Sequence, residues 1–99
     1  KSISRSLRLN PLILAVWFMD DGSRSRSSVY FNTQQFCIND QKFLIKLLGE
    51  SGLIATLNKD KLYYRIRLST RCINHFIDLV KPYIIKSMEY KLPLRPRID

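Results

Sequence analysis

Residues 11–22 read Pro11-Leu12-Ile13-Leu14-Ala15-Val16-Trp17-Phe18-Met19-Asp20-Asp21-Gly22. Asn10, just before them, is a favoured helix N-cap, and Pro11 suits the first helical position because its missing N–H would be unpaired there anyway. The stretch predicts a helix to about Asp21, stopped by Gly22. Every position from Leu12 to Met19 is apolar, so no face is left for water and the helix must be covered on all sides. A small sheet covers one side; a second domain or a second copy of the chain is expected on the other. The helix then ends in two adjacent acids, where the partial negative charge of its C-terminus disfavours each by roughly 0.3–1 kcal/mol. Either they cap the next turn and face solvent, or they hold a hard divalent cation such as Mg2+, which takes one or two carboxylates with waters and phosphate oxygens.

The rest of the chain supports the second alternative. Its 99 residues make one domain by length, and a 45% hydrophobic composition excludes a disordered tail. Seventeen Lys and Arg stand against eight Asp and Glu, a net charge of +9. These charges recur along the whole chain, as a polyanion-binding surface requires, and nucleic acid is the expected partner. A basic surface with an acid pair implies phosphodiester hydrolysis. Cys37 and Cys72 show neither zinc spacing nor a disulfide framework and read as buried thiols in a reducing compartment. The apolar run is far shorter than the roughly 20 residues that span a bilayer, so no membrane partner is expected.

Residues 1–9 are basic and Ser-rich and read as a lead-in or linker. Ser23 to Phe36 reads as a hairpin whose second strand alternates Val29, Phe31 and Thr33 against Tyr30, Asn32 and Gln34, with Val29 and Phe31 facing the core. Asn39-Asp40 reads as the cap of a second helix with Phe43, Leu44, Leu47 and Leu48 on one stripe, ended by Gly49 and Gly52. A second hairpin turns at Lys59-Asp60-Lys61, and its last strand sets Tyr64, Ile66 and Leu68 against a cationic, aromatic face of Tyr63, Arg65 and Arg67. Thr70 begins a third helix with Ile73, Phe76, Ile77 and Val80 at helical spacing, ended by Lys81-Pro82. Residues 83–94 read as an irregular or partly helical end of the domain, and 95–99 as a frayed tail. The fold class is α+β, in the order α-β-β-α-β-β-α with a four-stranded antiparallel sheet.

Leu14 to Gly22 resembles the signature helix of the LAGLIDADG homing endonucleases, in the branch whose motif reads WFMDDG. Phe31-Asn32-Thr33-Gln34 followed by Phe36, then Lys81-Pro82-Tyr83-Ile84-Ile85, then Ser87-Met88 leading to Tyr90-Lys91-Leu92, match in the same order. The resemblance implies a half-domain over residues 10–94 whose signature helix packs against another through Leu12, Ala15, Val16 and Met19. With one motif copy, the partner is a homodimer mate or a missing repeat. It also implies that Asp21 is catalytic and a metal ligand, that Asp20 supports the metal, and that Gln34 and Lys91 assist a water attacking in line.

The nucleic-acid surface is expected at Arg24, Arg26, Tyr30, Asn32, Asn58, Lys59, Lys61, Tyr63, Arg65 and Arg67, since a β-ribbon fits the major groove of duplex DNA. The first hairpin is short, so it would read few base pairs. The resemblance thus implies a site-specific, Mg2+-dependent double-stranded DNA endonuclease of intron homing, in a mitochondrion or chloroplast or in microbial cytoplasm. The rival is a silent RNA-binding derivative, an intron maturase or a recruited ribonucleoprotein component.

Overall fold

The computed structural model describes residues 2–96; residues 97–99, the end of the expected tail, lie outside the described residues. The elements run α1 (Pro11–Asp21), β1 (Gly22–Ser25), β2 (Ser28–Phe31), α2 (Ile38–Glu50), β3 (Ala55–Asp60), β4 (Tyr63–Leu68) and α3 (Ile73–Val80). A 3-10 turn over Thr70–Cys72 leads into α3, and two more follow it at Lys81–Tyr83 and Lys86–Lys91. The strands form one antiparallel sheet in the order β1-β2-β4-β3. The expected α+β class, element order and four-stranded sheet are those observed.

Asn10 caps α1 as its composition suggests: Oδ1 accepts from the Ile13 amide at 2.8 Å, with Pro11 at the first helical position. Leu14, Ala15 and Phe18 face inward. Phe18 meets Phe31 of β2 and Phe76 of α3 edge-to-face, with centroids 6.1 and 5.1 Å away, and Trp17 stacks on Phe31 at 4.0 Å. Val29, Ile66, Leu68, Ile73, Ile77 and Val80 pack around them, with Leu44, Leu47 and Leu48 of α2 in the same core. Gly22 stops α1 for a reason other than the usual left-handed cap. Its φ is −82°, open to any residue, but a Cβ there would fall on the ring and the carbonyl of Phe18.

Several local expectations are corrected. The second strand was expected to run through Gln34 and ends at Phe31, because Thr33 turns inward: its hydroxyl donates to Gln41 Oε1 at 2.8 Å. The Gln41 amide donates in turn to the carbonyls of Phe36 (3.1 Å) and Tyr64 (3.0 Å). This buried knot satisfies all its polar groups and bends the chain away from the sheet. The cap of α2 is Cys37, whose Sγ accepts from the Asp40 amide at 3.4 Å; Asn39 and Asp40 lie inside the first turn. Cys37 is therefore exposed, and only Cys72 is a buried thiol. Gly49 lies within α2, and it is Gly52, at φ +80°, that takes the left-handed exit. Tyr64, expected on the buried face, is 38% exposed.

Residues 2–9 do not hang free of the domain. Ile3, Leu7 and Leu9 pack on the core, and Arg5 pairs with Asp40 at 2.7 Å while lying over the Phe43 ring. At the other end, Arg95 is held by Asp78 and Asn74, so the tail does not fray at that residue.

Two predictions follow from this packing. Gly22→Ala should destabilise the fold by about 1–3 kcal/mol, as overpacking does in a filled core, measured by urea unfolding. An unchanged midpoint would mean that the approach of Phe18 is not confining. The hydrogen bond from Arg5 holds the Asp40 carboxyl below its ordinary value of 3.8, against the opposing effect of its burial. A lowered folded-state pKa gives stability that is present above the ordinary value and lost as pH falls through the lowered one. Asp40→Asn should therefore lower the unfolding midpoint at pH 7 and leave a shallower decline below about pH 4. Parallel acid limbs in the two proteins would overturn this.

Candidate functional site

Two surfaces of opposite chemistry meet at the foot of α1. The first is a stripe along the helix. Leu12, Ile13 and Val16 are 51%, 40% and 45% exposed, and Asp20, one turn beyond Val16, continues the same face. Met19 borders the stripe and is half-buried, whereas Ala15 is fully buried in the chain's own core. Ala15 therefore offers nothing to a second copy; at helical spacing it falls on the side turned toward the protein's own interior.

At the foot of the stripe, Asp20 projects into solvent. Asp21 is half-buried and, with Ile13 and Trp17, borders an apolar groove of about 240 Å3 that Leu7, Leu9 and Leu44 also line. The Asp21 carbonyl accepts from both the backbone amide (2.9 Å) and the side-chain Nδ2 (3.0 Å) of Asn32. Lys91 arrives from the 3-10 turn at Lys86–Lys91, and its Nζ donates to the Met19 carbonyl at 2.7 Å. That ammonium offsets the negative end of the helix dipole, which otherwise disfavours two acids in the last turn. The structure thus brings Asp20, Asp21 and Lys91 together. Gln34 is held elsewhere: with β2 ended at Phe31, its amide donates to Asp60 Oδ2 at 3.1 Å, at the end of β3.

Among the described residues no group of three or more His, Cys, Asp or Glu side chains gathers to hold a metal ion. One tip supplies two carboxylates, all-oxygen donors that suit Mg2+ or Ca2+ far better than zinc. That donor set fits a hard cation such as Mg2+.

The second surface is the sheet face turned away from the helices. The register sets Ser23, Tyr30, Arg67 and Thr56 abreast and Arg65 opposite Asn58, with Tyr63 opposite Asp60 at the end. Strand alternation puts all of these on the face opposite Val29, Phe31, Ile66 and Leu68. Of the expected nucleic-acid residues, Tyr30, Asn58, Tyr63, Arg65 and Arg67 lie there.

The others do not. Arg24 and Lys59 pair with Val29 and Tyr64, which places both on the helix side at the two sheet edges, and Arg24 Nε donates to the Tyr90 carbonyl at 2.9 Å. Arg26 and Lys61 occupy the hairpin turns at φ 56° and 59°. Asn32 lies beyond the strand, tied to Asp21. Counting alternation from the true strand ends, rather than collecting basic residues near the hairpins, would have excluded Arg24 and Lys59. Asp60 was not foreseen: it sets a carboxylate on an otherwise cationic face, and nothing in its local sequence marks Gln34 as its partner.

The chain has known relatives. Residues 1–76 match the model of the LAGLIDADG DNA endonuclease family. The chain is 36% identical to cytochrome b mRNA maturase bI2 of Saccharomyces cerevisiae, over 93% of its own length and 23% of that protein's. It is 33% identical to intron-encoded endonuclease ai4 of Dictyostelium discoideum, covering 88% of this chain and 57% of the relative. The chain thus spans between about a quarter and two-thirds of the curated relatives it matches. Its fold superposes with a TM-score of 0.86, at 30% identity, on the homing endonuclease I-WcaI bound to its DNA recognition sequence, covering 95% of this chain and 46% of that one. Signature helix, sheet and matched length agree, and the chain belongs to the LAGLIDADG DNA endonuclease family.

Proposed function

We propose that this chain is one half of a site-specific, divalent-metal-dependent endonuclease that hydrolyses both strands of a long duplex DNA site. The observation that carries the reading is the acid tip: two carboxylates held where their own helix disfavours them, at the foot of an exposed apolar stripe. The match to 46% of I-WcaI, itself bound to DNA, supports a requirement for a second half-domain. Either a second copy or another repeat would cover Leu12, Ile13 and Val16 and bring a second acid tip beside the first.

In this scheme Asp21 and Asp20 would hold Mg2+, which would supply Lewis acidity toward a phosphate oxygen and a more acidic water. The ammonium of Lys91, fixed at the Met19 carbonyl, keeps a positive charge at the tip, where it favours approach of a phosphate. Asn32 holds the backbone of Asp21 through two hydrogen bonds, so the acid is set before DNA arrives. Gln34 supports the second hairpin through its bond to Asp60. The outer sheet face lies along the major groove, with Arg, Asn and Tyr side chains facing the bases. An organellar setting is supported by the intron-encoded endonuclease relatives and by the cytochrome b mRNA maturase. Among the described residues no helix is long and apolar enough to cross a membrane.

The maturase relatives support a second reading, structured RNA bound on the same face without cleavage. One experiment separates the two. The chain is incubated with a randomised duplex library in Mg2+, beside Asp21→Asn, and the cut ends are sequenced. Site-specific cuts should appear and fall by roughly 100-fold or more in the variant, since even indirect partners of a metal ligand contribute 10- to 100-fold. Tight RNA binding, no cuts and no effect of the substitution would transfer the reading to the maturase.

The stripe generates its own prediction. Val16→Glu places a charge in the middle of the apolar contact and, if the mate is a second copy, should shift sedimentation from dimer to monomer and abolish cutting. The helix should stay intact, because Val16 is already exposed. A dimer that survives Val16→Glu would mean that the stripe is not the contact.

A further inference from the structure

One ring on the sheet carries two guanidinium groups. Tyr30 lies on an inner strand, directly opposite Arg67. Arg65 stands two residues along β4 and so emerges on the same face. Its guanidinium carbon is 4.0 Å from the centre of the Tyr30 ring, and that of Arg67 is 5.8 Å away. Arg67 is pinned a second time, because its Nη2 donates to Ser28 Oγ at 3.2 Å.

The arrangement does not explain itself as a stabilising feature of the free protein. Two like charges on one ring repel each other. The ion pairs among the described residues, Arg5–Asp40 and Arg95–Asp78, involve neither arginine. Arg65 Nε is buried with no acceptor, and among the described residues neither of its terminal nitrogens has one. Attraction to the ring face holds the group in place despite these costs. The result is a planar, charged fork on a β-face, with its terminal donors unused before any ligand arrives. That geometry suits a ligand offering two acceptors side by side in one plane. In duplex DNA the matching pair in the major groove is O6 and N7 of guanine.

We propose that Tyr30 is a positioning residue for guanine recognition: by holding Arg65 over its ring it aims the guanidinium fork at O6 and N7 of one guanine in the target site. Arg67, already bonded to Ser28, adds charge beside it without reading that base. The proposal rests on the duplex-DNA reading above and deepens it, since it names one base and the residues that select it.

The test is binding-site selection from a randomised duplex library with the full chain and with Tyr30→Phe, Tyr30→Leu and Arg65→Lys, each checked by thermal melting. The wild-type chain should enrich guanine at one position of its half-site. Tyr30→Phe keeps the ring and should leave that preference unchanged. Tyr30→Leu should relax it by about 2- to 5-fold, the range expected for one exposed cation–π contact. Arg65→Lys, which cannot bond in bidentate fashion, should relax it by about 5- to 150-fold, with preferences at other positions unchanged.

A uniform loss across all sequences in Tyr30→Leu and Arg65→Lys, with the guanine preference unrelaxed, would overturn the proposal and assign the pair to phosphate. So would an unchanged guanine preference in Arg65→Lys. If Tyr30→Leu fails to fold, Arg65→Lys against the wild type decides alone. Enrichment of no duplex by the wild type would instead sink the DNA reading, and the guanine proposal with it.

Discussion

The structure depends on three phenylalanines meeting at one point. Phe18 on α1, Phe31 on β2 and Phe76 on α3 come from distant parts of the chain, all fully buried, with ring centroids between 5.1 and 6.2 Å apart. Edge-to-face pairs of this kind add about 0.5–1.5 kcal/mol each beyond the area they bury, and they favour particular relative orientations. Fixing the Phe18 ring fixes the rotation of α1 about its axis. That rotation decides which apolar residues of an all-round apolar helix turn inward and which remain for a partner. It also decides where the two acids at the helix end point. Gly22 belongs to the same constraint, since its missing Cβ lets β1 begin against that ring.

Polar ties then hold the tip and the sheet in register. Lys91, 72 positions from Met19, donates to its carbonyl. Asn32 holds Asp21 from the end of β2, and the Leu94 amide donates to the Arg26 carbonyl in the turn of the first hairpin. Both ends of the chain thus close around α1, with residues 2–9 packed on one side and residues 86–94 strapped to the other. Gln41 joins Thr33, Phe36 and Tyr64 through buried hydrogen bonds. In a buried setting such a network is strong when complete and costly when one member is missing, so it specifies where β2 ends.

The division of surfaces follows from these constraints. Helices cover one face of the sheet, so the other is left to water and carries Tyr30, Arg65, Arg67, Asn58 and Thr56. The apolar stripe on α1 lies apart from that face. A second half-domain on the stripe would therefore leave the outer face clear for nucleic acid. Among the described residues no third carboxylate joins Asp20 and Asp21 at the helix end.

By itself the sequence determined the element types, their order and the character of the faces. Asn10-Pro11 and the apolar run specified α1, alternation over Val29 to Phe31 and Tyr64 to Leu68 specified strands with one greasy face, and 3.6-residue spacing specified α2 and α3. These are local consequences of side-chain periodicity, and the acid tip was legible because two carboxylates after eight apolar residues oppose the ordinary charge preference of a helix end. Tertiary structure alone decided the rest. It buried Ala15 and exposed Val16, moved Gln34 from a strand to Asp60, turned Arg24 behind the sheet and set two arginines on Tyr30. Each of these turns on a partner far away in the chain, such as Phe76 for α1, Asp60 for Gln34 or Tyr90 for Arg24. Local patterning carries no information about such a partner, because one hydrogen bond or ring contact at long separation leaves no period in the sequence.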